Sequence, residues 1–261
     1  MNVLDMFKLD GKVALVTGGA GNYGRQMTSA LAEAGATVVT ASRHIDANEK
    51  YAASLREAGY SVYADEYDQK DEQSIRALLA RMVEKFGHVD ILVNNSVLRC
   101  MKNYSDPAEV FAESLAVNAT GLFLITRAFG DHMAENGHGS IINIGSYMGD
   151  LGCNDTLYEA CPAITSANAP DYYMHKGGMH NFTRFTASYY GHKGVRCNCL
   201  SLGGLFNNQP ESFLENYEKA TFLRRMANDS DIKGIIVYLA SDASLYTTGT
   251  VIPVDGGYSA K

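Results

Sequence analysis

Two hydrophobic periodicities alternate along the chain. Short runs, apolar almost without a break and rich in β-branched residues, lie at 13–17, 37–41, 61–67, 91–94, 140–144, 195–200 and 250–254. Between them, at 23–34, 47–57, 72–86, 108–135, 172–190 and 231–240, apolar residues recur every three or four positions. The first pattern predicts strands and the second amphipathic helices. Strands that are apolar on both faces need cover on both faces. Strict β–α alternation therefore predicts a parallel sheet joined by right-handed crossovers. The expected fold class is α/β, a doubly wound parallel sheet of about seven strands with helices on both faces. No repeat, low-complexity tract or Pro/Ser-rich linker divides the 261 residues, enough to bury a substantial core.

Composition narrows the function classes. A hydrophobic fraction of 46% and a charged fraction of 20% are those of a soluble globular protein. A net charge of −7 with no basic stripe argues against a nucleic-acid partner. No apolar run reads as long enough to span a membrane. The start, MNVLDMFKLDGK, has neither the basic nor the apolar region of a signal peptide. The five cysteines (Cys100, Cys153, Cys161, Cys197 and Cys199) show no paired metal spacing, and alternation puts Cys197 and Cys199 on one strand face. They are expected as buried, reduced thiols of an intracellular, cytoplasmic protein, with no metal site. His132, His138, His180 and His192 form no ligand spacing either.

Candidate chemistry begins where the first strand runs into Thr17-Gly18-Gly19-Ala20-Gly21-Asn22-Tyr23-Gly24 and then a helix. A glycine-rich strand–turn–helix lets backbone approach a pyrophosphate and aims helix N-terminal amides at its charge. The bare G-x-G-x-x-G string is weak, but its place in the first βα turn of an alternating chain makes it a dinucleotide signal. At the end of strand two, an acid about twenty residues past the glycines would grip the ribose 2′-hydroxyl of NAD. This chain has Ala41-Ser42-Arg43 there, and its nearest acid, Asp46, lies further into the loop. A hydroxyl and a guanidinium suit the extra 2′-phosphate, so NADP(H) is favoured and NAD(H) is the second option.

Tyr172 and Lys176 are four residues apart on a predicted helix, so both side chains reach one point. Free tyrosine ionises near pH 10; a nearby ammonium stabilises the phenolate and makes the pair competent for acid–base work. Ser146, at a strand end, can orient a substrate oxygen beside them. His175 adjoins Lys176 but points about 100° away around the helix, as a packing or interface residue would.

These pieces, in this order, resemble the short-chain dehydrogenase/reductase family over nearly the whole chain. The turn from Thr17 to Gly24 sits where that family has its nucleotide-binding glycines. Asp68 in YDQKDEQSI resembles the acid that holds the adenine amino group, and Asn94-Asn95-Ser96-Val97 the family's Asn-Asn-Ala-Gly element. Asn118 in NATG matches the asparagine whose helix distortion holds a relay water. Ser146 in INIGS, Tyr172 and Lys176 match the catalytic set. RCNCLSLGG, with Gly203, resembles the stretch before the nicotinamide site, and Leu205 and Asn207 stand where the carboxamide is met. The ending, LASDASLYTTG followed by VDGG, is that of the compact branch. The resemblance implies one Rossmann-type domain over 1–261 that assembles as a homo-oligomer, dimer or tetramer. The apolar set Phe111, Leu115, Leu122, Phe123, Ile125 and Phe129 would serve the core and a subunit interface.

The chain departs from the family pattern in four places. Asn22 replaces a glycine, and Gly18, Gly21 and Gly24 also fit the extended branch's T-G-x-x-G-x-x-G; Asn22 is read as tolerating left-handed backbone. Leu202 stands where proline is usual and Val97 where glycine is usual. Ser146 and Tyr172 are twice as far apart as is common. The extra segment, about 149–170, contains Asn154, Asp155, Tyr158, Glu159, Cys161, Pro162, Ser166 and Asn168. It is expected to form a wall or lid over the substrate, its polar groups favouring a hydroxylated molecule.

The reading is an NADP(H)-dependent oxidoreductase that interconverts a secondary alcohol and a ketone or aldehyde on a sugar, polyol or sugar acid. Its alternatives are a nucleotide-sugar epimerase or dehydratase with tightly held cofactor, and a non-catalytic dinucleotide-binding module.

Overall fold

The strands of the computed structural model, which describes residues 2–159, 161 and 169–260, are β1 (Val13–Thr17), β2 (Thr37–Ser42), β3 (Val62–Glu66), β4 (Ile91–Asn94), β5 (Gly139–Ile144), β6 (Val195–Leu202) and β7 (Val251–Val254). All pairs are parallel, and the sheet order is β3-β2-β1-β4-β5-β6-β7.

Alternation along β1 shows why the run is apolar throughout. Ala14 and Val16 join Met27 and Leu31 of α1 (Asn22–Glu33) and Ile236 and Leu239 of α8 (Lys233–Ala240), with Ala52 of α2 (Ile45–Glu57) in the same layer. Val13 and Leu15 point the other way. They meet Leu78 and Met82 of α3 (Glu72–Phe86), Ile125 and Phe129 of α5 (Leu122–Glu135), and Tyr190 of α6 (Pro170–Tyr190). Each such side chain, fully buried, contributes about 1.5–3 kcal/mol of transfer free energy.

After β3 the chain crosses back over β1 to lay β4 on its other side. This reversal opens a crevice at the carboxyl ends of β1 and β4, the place where doubly wound sheets bind ligands.

Three elements differ from the sequence expectation. The helix that periodicity predicts at 108–135 is interrupted, at the place where the resemblance implied a distortion around Asn118: α4 (Ala108–Leu115) passes through a π-helical turn, Ala116–Gly121, before α5 begins. The cause is tertiary. Gln69 Nε2 donates to the Val117 carbonyl at 3.0 Å, and Gly121 packs so tightly on the Gln69 backbone that a Cβ would collide with its carbonyl oxygen. Second, Ala108–Glu135 as a whole has the length and composition of a membrane span, against the expectation that no run does. Ile125, Phe129 and Met133 are fully buried beneath the sheet, so this helix belongs to the core layer. Third, α7 (Glu211–Ala220) was not foreseen; it follows Pro210 and buries Phe213, Tyr217 and Ala220 at helical spacing.

Candidate active site

The glycine turn after β1 is shaped by two glycines. Gly18 has φ +63°, a left-handed conformation that side chains strain, and its N–H donates to the Ala41 carbonyl at 2.8 Å. At Gly24 a Cβ would run into the Gly18 carbonyl and meet Gly19 Cα at 2.9 Å, so α1 packs backbone to backbone on the turn. Gly21 is the N-cap of α1 and offers no side-chain cap, which leaves the first amides of α1 facing the crevice. Asn22 does not adopt the left-handed backbone expected of it: it is the first helical residue of α1. Among the described residues, positive φ outside glycine occurs only at Asn208 and Arg224.

A cavity of about 700 Å³ starts at this turn and runs along the sheet's carboxyl edge. One end is lined by Ser42, Arg43 and Asp68, with Gly18, Gly21, Asn22, Tyr23, Gly24 and Ser96 along its floor. Arg43 is exposed, and none of the ion pairs among the described residues involves it. Ser42 Oγ accepts from Asn48 Nδ2 at 2.8 Å, which leaves its own proton to donate. Tyr23 donates to the Gly203 carbonyl at 3.1 Å and so ties the glycine turn to the loop that carries Leu205 and Asn207, both of which line the cavity.

Asn94 and Asn118 do not line it. Asn94 is turned into the core, where Nδ2 donates to Thr126 Oγ1 at 3.0 Å and Asn143 Oδ1 at 2.8 Å; its neighbour Asn95 faces the crevice instead. The cavity edge expected to be met at Asn94 is formed by Asn95 and Ser96. Asn118 lies behind the cavity at the π turn and clamps Leu98 from both sides, accepting from its N–H at 2.8 Å and donating to its carbonyl at 2.7 Å.

Ser146, Tyr172 and Lys176 converge at the middle of the cavity. Ser146 lies two residues past the end of β5 and caps the short turn Tyr147–Gly149 through Oγ, which accepts from Met148 N at 3.2 Å. Tyr172 and Lys176 sit in the first turns of α6. Lys176 is buried; its Nζ lies 5.6 Å from the Tyr172 ring centroid and donates to the Ile144 carbonyl at 2.5 Å. Burial pushes the Tyr172 phenol up. Lys176, Arg99 and hydrogen bonding from Ser146 together outweigh that and hold it below the usual phenol range. Burial likewise pulls the Lys176 ammonium down, opposed by the charge of Tyr172. A tyrosine so placed can give or take a proton at the oxygen Ser146 orients.

The far wall is aromatic. Tyr147, Leu157, Cys161, Phe213, Tyr217 and Tyr258 form one buried cluster, with the Tyr158–Phe213 ring centroids 5.7 Å apart. The described part of the insertion is thus a packed wall against α7. Of its polar residues Tyr158 reaches the cavity, whereas Asn154 is spent on capping Thr156 and holding Tyr258. Pro162, Ser166 and Asn168 lie outside the described residues. Among the cavity residues that the sequence reading did not single out are Arg99, Asp171 and, on α7, Phe213 and Tyr217. Arg99 carried a signal, being a cation just past the end of β4, on the edge where doubly wound sheets bind ligands.

The cysteine expectation is met in part: all five are free, with Cys161, Cys197 and Cys199 buried, Cys100 half-buried and Cys153 exposed. His175 is buried within the protomer, edge-on to Tyr172. His180 pairs with Asp150 at 3.0 Å.

The family model described as "Enoyl-(Acyl carrier protein) reductase" matches residues 19–259. Cis-4-hydroxycyclohexanecarboxylate dehydrogenase of Sinomonas cyclohexanicum is 31% identical over 95% of this chain and 97% of its own. Galactitol 2-dehydrogenase (L-tagatose-forming) of Cereibacter sphaeroides is 31% identical over 99% of both chains. Among solved structures, a gluconate 5-dehydrogenase from Burkholderia cenocepacia in complex with NADP and tartrate superposes with a TM-score of 0.87 at 28% identity, covering 100% of both chains.

The chain belongs to the short-chain dehydrogenase/reductase family. It is therefore an oxidoreductase of the NAD(P)-using, alcohol-oxidising kind, on the seven-stranded Rossmann sheet described above. Relative to its family, Val97 and Leu202 both line the cavity and add side-chain bulk where glycine and proline are usual.

Proposed function

We propose that this short-chain dehydrogenase/reductase is an NADP(H)-dependent enzyme that interconverts a secondary alcohol and a ketone or aldehyde on a small hydroxylated molecule, a sugar, polyol or sugar acid. The observation that carries the reading is the convergence of Ser146, Tyr172 and Lys176 in the middle of a cavity whose other end is lined by Ser42 and Arg43. The relatives named for a hydroxy acid, a polyol and gluconate support the substrate class.

The residues fit a dinucleotide phosphate. A Cβ at Gly21 would occupy the open space over the α1 amides, with no atom nearer than 3.6 Å, and that is where a pyrophosphate belongs. Arg43 and the free Ser42 proton suit a 2′-phosphate, and Asp68 an adenine amino group. Bound there, the nicotinamide supplies the hydride exchange. In the reductive direction Ser146 and Tyr172 donate hydrogen bonds to the carbonyl oxygen, and Tyr172 transfers its proton to that oxygen as negative charge develops. Lys176 stabilises the phenolate left behind and would hold the nicotinamide ribose. The π turn at Asn118 shifts the backbone register and frees a carbonyl to hold a relay water that returns the proton.

Residues 1–261 act in this reading as one domain. Exposed Phe123, Met174, Phe185 and Tyr189 on α5 and α6 support assembly into a dimer or tetramer, and the free thiols a cytoplasmic setting. The test is oxidation of NADPH and of NADH, followed in parallel with a panel of sugar-derived and simple ketones. Carbonyl-dependent consumption with NADPH preferred supports the reading, and preference for NADH removes its cofactor half.

A further inference from the structure

The reaction end of the cavity carries a second cation besides Lys176. Arg99 is exposed into the cavity, with Cζ 4.6 Å from the centroid of the Tyr172 ring. No ion pair among the described residues involves it, and residues 162–168, outside that set, include no acid. The one carboxylate that lines this end, Asp171, is no substitute. Its Oδ2 accepts from Ser114 Oγ, its Oδ1 is buried without a partner, and no ion pair joins it to Arg99. With Lys176 buried beneath the tyrosine, the space above the reacting oxygen is positive, and the Arg99 guanidinium, which hydrogen-bonds the Tyr172 hydroxyl, has further N–H donors beyond that bond.

We propose that Arg99 is a carboxylate anchor and that the substrate is a compact hydroxy acid whose carboxylate lies a few carbon atoms from the carbinol. This deepens, and rests on, the oxidoreductase reading above. The argument is geometric. An arginine stacked on the tyrosine ring presents its fork beside the phenol oxygen, the planar match for a carboxylate. An uncharged polyol would leave that fork facing only water or a hydroxyl. Closeness of cation and phenol limits how far carboxylate and carbinol can be separated, and the aromatic wall of Tyr158, Phe213 and Tyr217 covers the carbon skeleton between them. The reaction balances as hydroxy acid plus NADP⁺ giving oxo acid, NADPH and a proton. The carbinol C–H bond breaks with its electron pair passing to the nicotinamide, and the O–H proton passes to Tyr172.

The experiment compares 3-hydroxybutyrate and gluconate with the neutral counterparts 3-hydroxybutyramide and sorbitol, in wild type, Arg99→Gln and Arg99→Lys. It is paired with calorimetric binding of butyrate and butyramide to the NADP⁺ complex. Arg99→Gln is expected to cut the acid-to-neutral ratio of kcat/KM by about ten- to hundredfold, the scale of a charge-assisted hydrogen-bonded contact. Butyrate binding should weaken and butyramide binding should not, while Arg99→Lys, lacking the bidentate fork, restores part of the ratio. An equal fall for acids and neutral alcohols, or unchanged butyrate binding, would overturn the proposal and leave Arg99 as a residue that only positions Tyr172. If no alcohol of either kind reduces NADP⁺, the oxidoreductase reading fails, and the butyrate titration still decides Arg99.

Discussion

Lys176 Nζ donates to the Ile144 carbonyl oxygen at 2.5 Å, which ties the helix that carries Tyr172 to the end of the strand that leads into Ser146. The same ammonium helps hold the Tyr172 phenol below its usual range. One side chain therefore sets both the position and the ionisation of the pair.

Lys176→Met should separate those roles. In the oxidative direction the phenolate is the base, so the rate rises with pH through the Tyr172 pKa. Removing the ammonium raises that pKa, and the rising limb of kcat must move to higher pH, with about tenfold lost per unit on that limb. The Ile144 carbonyl, left unpaired, should lower stability by about 1–3 kcal/mol. A pH–rate profile and a urea titration check the two effects. An unmoved limb would mean that Lys176 does not tune Tyr172.

Arg43→Ala should weaken NADPH binding by about 1.5–3 kcal/mol and leave NADH nearly untouched, because only the 2′-phosphate would meet the guanidinium. Fluorescence titration with each cofactor reads this directly. Equal weakening of both would return Arg43 to a general surface role.

His175 makes stability depend on pH. Burial, with Lys176 and Arg99 nearby, pushes its imidazole down from 6.5 to about 3. The folded-state pKa lies below the unfolded one, so the unfolded chain binds the extra proton between them. The contribution is fully present above pH about 6.5 and is lost as pH falls towards about 3. His175→Leu should therefore flatten the fall in unfolding free energy between pH 7 and about 4.5. Parallel slopes in mutant and wild type would assign the acid sensitivity elsewhere.

Much of the site was legible because its chemistry follows spacing. Tyr172 and Lys176 share a helix face by arithmetic, and a glycine turn after an apolar strand has few other uses. What sequence could not supply was phase and partner. Asn94 and Asn95 are adjacent at a strand end and face opposite ways, a matter of pleat that only the packed sheet decides. The break at Ala116–Gly121 has no proline to announce it; only the family resemblance at Asn118 implied a distortion there, and Gln69, from another part of the chain, packs against it. The apolar spacing of Phe213, Tyr217 and Ala220 was present, but short and set among charged residues. Only its packing against the insertion shows it as a wall.

Gly149 is a further point where packing positions the site. A Cβ there would lie 2.6 Å from His180 Cε1 and 2.9 Å from the Lys176 carbonyl. Gly149→Ala must push the Ser146 turn off α6, an overpacking strain of about 1–3 kcal/mol. The expected result is a fall in kcat with NADPH affinity kept within a few-fold, since the phosphate and adenine contacts lie on the first βα units. Unchanged kcat would show that the turn has slack.

The central claim, that Tyr172 is the proton donor of a carbonyl reduction driven by NADPH, is tested most directly by steady-state NADPH oxidation in wild type and Tyr172→Phe, with cofactor affinity measured on both. Loss of the hydroxyl should lower kcat by about 10²–10⁴-fold, the usual scale of general acid–base catalysis, while NADPH binds within a few-fold of wild type. A Tyr172→Phe enzyme that turns over at near-wild-type rate would contradict the account.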